Sequence, residues 1–294
     1  MSRLLAVGLG YSATALATHR AKQHWTIVGT ARSESGLAAI RSLGFEAVPF
    51  GGEATSPTLG AALQEATHLL LSAPPEAKGD PLLTYHRADL LAAPRLRWIG
   101  YLSTIGVYGD HAGAWIDETT PPRPRSARSR WRVAAEREWL DFAAARGIPA
   151  AIFRLSGIYG PRRNTLLKLR AGTERRLNKP DQVFNRIHVE DIVSTVDASI
   201  ARHIGGVFNV ADDEPNPPQD VVAFAADLLG MEPPPLVDWR TADLSPMAKS
   251  FWTENKRVRN ARIKDVLGVT LLYPTYREGL RALLAEVKVR SRQD

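Results

Sequence analysis

The chain has 294 residues, 44% of them hydrophobic, with a net charge of +7 and no cysteine. That size suits one large core, or one core with a small appended lobe, and argues against an array of modules. Without cysteine there is no disulfide framework, thiol nucleophile or thiolate zinc site. The seven histidines show no ligand spacing such as His-Glu-x-x-His, so no metal site is expected.

The first element is a short apolar strand, Arg3–Val7, followed by Gly8-x-Gly10-x-x-Ala13 and a helix-compatible run from Ala13 to Gln23. This order fits a dinucleotide-binding turn over Gly8, Gly10, Tyr11, Ser12 and Ala13. One glycine allows the tight turn, the next lets the backbone approach a pyrophosphate, and the small Ala13 lets helix pack on strand. The anion would rest on the helix N-terminus. The alternative is an ordinary tight turn between strand and helix. The stretch also imitates a signal peptide, with Ala15-Leu16-Ala17 as a cleavage site, but cleavage would delete the first strand. No run reaches the roughly 18 apolar residues of a membrane span. A cytoplasmic protein with no membrane partner is expected.

The second strand, Trp25–Thr30, leads into Ala31-Arg32-Ser33. No acid stands there to hold a ribose 2′-hydroxyl, and Arg32 with Ser33 suits a 2′-phosphate, which favours NADP over NAD as cofactor. Further strands are expected at Glu46–Phe50, His68–Ala73, Arg97–Ser103, Ala150–Leu155 and Val207–Val210. Helices are expected near Ser35–Leu43, Pro57–Glu65, Pro81–Ala92 and Ser129–Arg146. The alternation implies an α/β fold with a doubly wound parallel sheet. After Gly160 the rhythm breaks into Arg- and Pro-rich loops, a helix near Glu190–Arg202 and two late helices, Gln219–Leu229 and Tyr276–Lys288. The expected division is a cofactor domain over 1–160 and a smaller substrate lobe over 161–294, with 187–212 returning to the sheet.

The positive charge is clustered. Five arginines lie between Arg123 and Arg132 with no acid among them, and seven cations lie between Arg162 and Lys179 against Glu174 alone. Neither run carries interleaved aromatics or a groove-reading motif, so no nucleic-acid partner is expected. A solvated basic face or an anion-binding mouth remains.

Three segments in order resemble the extended or atypical short-chain dehydrogenase/reductases, particularly nucleoside-diphosphate-sugar epimerases. They are Tyr101-Leu102-Ser103-Thr104-Ile105-Gly106-Val107-Tyr108-Gly109, Arg154-Leu155-Ser156-Gly157-Ile158-Tyr159-Gly160-Pro161 and Asn185-Arg186-Ile187-His188-Val189-Glu190-Asp191-Ile192. The resemblance implies a Rossmann fold, with Thr104 as the catalytic hydroxyl. It also implies cofactor contacts from Ser72, Ala73, Pro74, Thr104, Ser156 and Gly157, and a role for Tyr159 near the nicotinamide end.

One departure stands out. The family's helix carries a Tyr acid/base and, four residues on, a Lys. This sequence reads Arg128-Ser129-Arg130-Trp131-Arg132-Val133-Ala134-Ala135-Glu136, which places Arg128 at the Tyr position and Arg132 at the Lys position. A guanidinium has no acceptor and stays protonated, so neither arginine can act as the base. Arg132 could reach ribose hydroxyls and Arg128 could clamp a substrate carboxylate or phosphate; the alternative is two solvent-facing residues. Candidate proton donors by type are Tyr108, Tyr159, Asp117 and His188, the last titrating nearest neutrality. Asp191 reads as a helix N-terminal acid. Two functions stay open: an NADP(H)-dependent oxidoreductase or epimerase-like enzyme acting on an anionic small molecule through a non-standard proton donor, or a catalytically inactive NADP(H)-binding sensor. The chain is compatible with a homodimer.

Overall fold

The computed structural model describes residues 2–290. In chain order the elements are β1 (Arg3–Val7), α1 (Tyr11–Ala21), β2 (Thr26–Ala31), α2 (Glu34–Ser42), β3 (Glu46–Pro49), α3 (Pro57–Glu65), β4 (His68–Leu71), α4 (Pro81–Ala92), β5 (Trp98–Thr104), β6 (Trp115–Ile116), α5 (Ala127–Arg146) and β7 (Ala150–Leu155). There follow β8 (Gly157–Tyr159), α6 (Thr165–Arg170), β9 (Arg176–Asn178), β10 (Arg186–His188), α7 (Val189–Arg202), β11 (Gly206–Val210), α8 (Pro218–Leu229), β12 (Leu236–Asp238), α9 (Pro246–Trp252), β13 (Arg257–Val258), α10 (Ala261–Asp265) and α11 (Tyr276–Arg290). The expected strands and helices fall on these with ends shifted by one to three residues.

The chain divides into two compact units, Met1–Val107 with Pro124–Arg154 and Val193–Phe208, and Tyr108–Arg123 with Leu155–Ile192 and Asn209–Asp294. The first holds the seven-stranded parallel sheet in the order β11-β7-β5-β4-β1-β2-β3. β1 pairs in parallel with both β2 and β4, so the strand order reverses across the β1/β4 boundary. In open α/β sheets this is where ligands bind, beyond the strands' C-terminal ends.

The elements start where local chemistry tells them to. Ser33, Ser56 and Ser126 accept backbone N–H groups from Gly36, Leu59 and Ser129 at the starts of α2, α3 and α5. Asp80 does so for Leu82 and Leu83 at the start of α4, and Pro57 and Pro81 occupy first-turn positions where a missing N–H costs nothing. The left-handed Gly147 (φ 65°) ends α5. The core beneath the sheet contains Leu5, Val7, Leu69, Leu71, Ile99 and Tyr101 from strands, with Trp139 and Phe142 from α5. On α5, Ala135, Trp139 and Phe142 are buried and Trp131 is half-buried.

Within this core lies one charged cluster. Arg154, in the middle of the buried β7, donates to Glu136 of α5 with Nη2···Oε2 at 2.7 Å and Nε···Oε2 at 3.1 Å. Ser103 Oγ of β5 donates to the other carboxylate oxygen at 2.5 Å. All three residues are buried, so the network joins β5, α5 and β7 where water cannot substitute. The second unit has its own core, with Tyr159, Leu166 and Leu169 against Val221, Ala225, Tyr276 and Leu280 of α8 and α11.

A buried guanidinium deprived of its carboxylate is expensive. Glu136→Ala is expected to lower unfolding stability by about 3–5 kcal/mol, measured by denaturant titration. Glu136→Ala with Arg154→Met should recover most of that loss. A single variant as stable as the parent would show that the pair does not hold α5 to the sheet.

Candidate functional site

At the C-terminal end of β1 the backbone turns at Gly8, whose φ of +82° is a conformation L side chains rarely adopt. A Cβ there would lie 2.8 Å from the Ala73 amide nitrogen. The turn is pinned by Gly8 N–H donating to Thr30 Oγ1 at 2.9 Å and Leu9 N–H donating to Thr30 O at 3.2 Å. Ser72 and Ala73, following β4, both donate their N–H to Val7 O at 2.9 Å. The expected residues Gly8, Gly10, Tyr11, Ser12, Ala13, Ser72, Ala73 and the exposed Pro74 are thus gathered at the β1/β4 switch point.

Gly10 precedes α1, and no side chain caps the helix. A Cβ at Gly10 would find only Ser72 Oγ, 3.9 Å away. The first turn's N–H groups therefore face a space that glycine keeps clear, while Ala13 packs fully buried beneath them. Helix-end amides of this kind hold anions. The cradle fits the pyrophosphate of a nicotinamide dinucleotide. Arg32 is exposed just beyond β2, and Ser33 Oγ caps α2 by accepting from Gly36 N–H at 3.2 Å.

At the end of β5, Thr104 Oγ1 accepts from Gly106 N–H at 3.1 Å, which leaves its proton available. A Cβ at Gly106 would lie 3.4 Å from Thr104 Oγ1 and 3.5 Å from Ser129 Oγ, so two hydroxyls converge on that glycine. Ser129 Oγ accepts from Ser126 Oγ at 2.9 Å. Arg132 is half-buried and donates to Leu102 O at 3.0 Å, tying the start of α5 to the end of β5. Arg128, one turn earlier, is exposed. The two arginines expected to act together therefore have different surroundings.

The remaining expected residues lie in the second unit. Ser156 donates both its N–H and its Oγ to Val210 O, at 3.1 and 3.0 Å, and a Cβ on Gly157 would meet Asn185 O at 3.1 Å. Tyr159 packs in the apolar core, with its ring so close to Gly279 that a Cβ there would overlap the phenol. Burial, with Asp212 and Asp191 nearby, raises its pKa far above the ordinary phenol value. Tyr108 donates to Asn209 Oδ1 at 2.8 Å and is fully buried. The Asp117 carboxylate is held below its usual pKa by the Thr119 hydroxyl, so it stays ionised near neutrality.

His188 differs from expectation. Burial drives its pKa down to about 4, so at neutral pH it is an uncharged imidazole packed between Tyr159 and Tyr273 rather than a titrating group. Asp191 accepts from the Leu272 and Tyr273 amides at 2.6 and 3.1 Å, and burial raises it to about 6. It tethers a loop to the start of α7.

Sequence reasoning missed the Ser103–Glu136–Arg154 network and Ser129. The network had a signal: Arg154 interrupts an otherwise apolar strand, Ala-Ala-Ile-Phe-Arg-Leu, and a buried charge requires a partner. Among the described residues no group of three or more His, Cys, Asp or Glu side chains could hold a metal ion, and no helix is long and apolar enough to cross a membrane.

Residues 82–211 match the NAD dependent epimerase/dehydratase family. The structure is similar to that of a functionally unknown conserved protein from Silicibacter pomeroyi DSS, at 52% identity and a TM-score of 0.88, covering 97% of this chain and 99% of that one. The curated protein YeeZ of Escherichia coli (strain K12) is 29% identical over 247 residues, 80% of this chain and 86% of its own. UDP-glucuronic acid 4-epimerase from Bacillus cereus, solved in complex with NAD, shares the fold at 18% identity and a TM-score of 0.74, over 97% of this chain and 98% of that one. Residues 82–211 thus carry a segment of the NAD dependent epimerase/dehydratase family on that family's fold, in a chain that resembles these proteins and has arginine at both Tyr-Lys positions.

Proposed function

We propose that the protein is an NADP(H)-dependent oxidoreductase of the epimerase type, acting on an anionic small molecule without a Tyr-Lys acid/base pair. The observation that carries this reading is the uncapped α1 start at an open Gly10, beside β2 and the exposed Arg32 that follows it. Gly8 to Ala13 would hold the pyrophosphate. Arg32 and Ser33 would hold a 2′-phosphate, the guanidinium by charge-assisted hydrogen bonds. Ser72, Ala73 and Pro74 complete the proposed contacts of the first unit, and the family resemblance alone assigns Ser156 and Gly157 to the cofactor. A nicotinamide bound by these residues supplies or accepts a hydride.

The chain's own chemistry at the reacting centre is assigned to Thr104 and Arg132. Thr104 Oγ1 has its acceptor side filled by Gly106 N–H, so it offers its proton to a substrate oxygen. Arg132, held by the Leu102 carbonyl, contributes fixed positive charge and ribose contacts. Arg128 is exposed, and its proposed role is to attract the substrate anion. A proton leaving the substrate cannot reside on either guanidinium and passes through hydroxyls and water. Tyr159, buried as it is, contributes packing within the second unit. The reading as a cofactor-binding sensor is favoured by one observation, the arginines at both acid/base positions.

Two measurements test this. Gly10 has φ −82°, which any residue tolerates, and no atom within 3.9 Å of an added Cβ. Gly10→Val should therefore fold normally yet bind neither NADPH nor NADH in calorimetric titration; unchanged affinity would remove the phosphate cradle. Arg32→Ala should weaken NADPH by about tenfold or more while leaving NADH within about twofold. Equal losses for both would mean that Arg32 does not read the 2′-phosphate. Oxidation of NADPH by any of a panel of nucleotide sugars and carbonyl-bearing carboxylates would separate enzyme from sensor.

A further inference from the structure

The second unit contains a cavity of about 360 Å³, large enough for a small organic molecule. One side of its wall is apolar and partly aromatic, formed by Leu177, Phe184, Val221, Val222, Leu244 and Trp252, and the other is polar, with Thr165, Thr173 and Glu174 beside its cations. Phe184 meets Trp252 edge to face at 5.2 Å, and Trp239 stacks on Trp252 at 6.1 Å, so the aromatic wall is braced from behind. Rings so arranged favour a further flat apolar body in contact with them.

Three cations line the cavity, and they are not equivalent. Lys168 Nζ lies 3.8 Å from Glu174 Oε2, and Arg175 donates to Asp243 O at 2.7 Å. Arg186 donates one N–H to Phe184 O at 3.1 Å, and its other N–H groups make no hydrogen bond among the described residues. It is half-buried, with Asp212, Tyr276 and Tyr159 nearby, and desolvation lowers its pKa. Asp212 is buried with Oδ2 unpartnered. Burial raises that carboxyl above its usual range, while the Arg186 charge pulls it the other way.

We propose that this cavity binds an aromatic carboxylate, the ring against Phe184 and Trp252 and the carboxylate paired with Arg186. This deepens the proposed function, on which it rests, by naming the class of the anionic small molecule. A nucleoside diphosphate would instead set a ribose and a second phosphate against the aromatic side of the cavity, where those polar groups find no partner.

The test uses the full chain and three probes in calorimetric titration: 2-naphthoate, the neutral 2-naphthamide, and UDP, with NADPH measured alongside. The expected result is 2-naphthoate binding at least about tenfold tighter than 2-naphthamide, weakened by about tenfold in Arg186→Met. Leu244→Trp, which fills the cavity without touching the buried charges, should weaken it as much and keeps the test valid if Arg186→Met does not fold. Both variants should bind NADPH like the parent. Absence of 2-naphthoate binding, indifference to Leu244→Trp, or UDP binding more tightly than 2-naphthoate would each overturn the proposal. If NADPH binds and 2-naphthoate does not, only this inference falls; if 2-naphthoate binds as expected and NADPH does not, the cavity stands and the cofactor reading falls.

Discussion

The ion pair between Glu136 and Arg154, with the Ser103 hydroxyl on the same carboxylate, is the constraint on which the first unit's reactive end depends. A charge pair in a core is no bargain in itself, because each ion must first be stripped of water. Its effect is positional. Ser103 directly precedes Thr104, Glu136 lies one turn beyond Arg132 on α5, and Arg154 sits in β7, so one network sets the height of α5 against two strands. A hydrophobic replacement could hold the helix down, but it could slide. Hydrogen bonds of 2.5 to 3.1 Å to both carboxylate oxygens permit one register. Thr104 and Arg132 inherit that register through Ser103 and through the bond from Arg132 to Leu102 O.

Much of this was legible in the sequence, for physical reasons that differ by element. β1 and β4 are apolar after their first residue, and β7 is apolar apart from Arg154, because a central parallel strand is covered on both faces. Helix starts were readable because Ser56-Pro57 and Asp80-Pro81 join a side-chain cap to a residue that needs no N–H. The switch-point turn was readable because the backbone angle at Gly8 favours glycine and a glycine at position 10 leaves the start of α1 uncovered. Side-chain networks were less legible. Nothing in the spacing of Ser103, Glu136 and Arg154 tells which of the chain's many charges meet, since that depends on the strand order. The titration of His188 was misread for a related reason: its type suggests a group active near neutrality, whereas its burial between two tyrosines suppresses the charged form.

Arginine at the two acid/base positions alters what the start of α5 can do. A tyrosine beside a lysine can exchange a proton because the lysine charge lowers the phenol's pKa. Two guanidiniums can exchange nothing, and they repel one another if brought together. The structure separates them, Arg132 turned to a backbone carbonyl and Arg128 left exposed. What remains at the strand end is hydrogen-bond donation from hydroxyls and a fixed positive field. That combination stabilises developing negative charge on an oxygen better than it moves a proton.

The same economy of polar groups applies to the second unit. Its cavity joins apolar side chains of β9, α8 and α9 to a polar side with three cations, of which Arg186 gives one N–H to Phe184 O. An apolar pocket discriminates weakly between bodies of similar shape, whereas a buried donor left without an acceptor penalises every ligand that lacks one. Arg186 therefore decides which molecules are admitted, and Phe184 and Trp252 decide how well they fit. A neutral ligand of the right shape pays for stranding the guanidinium, and a highly charged one leaves its surplus phosphates facing carbon. The ligand that satisfies both demands carries one anionic group on a flat apolar frame.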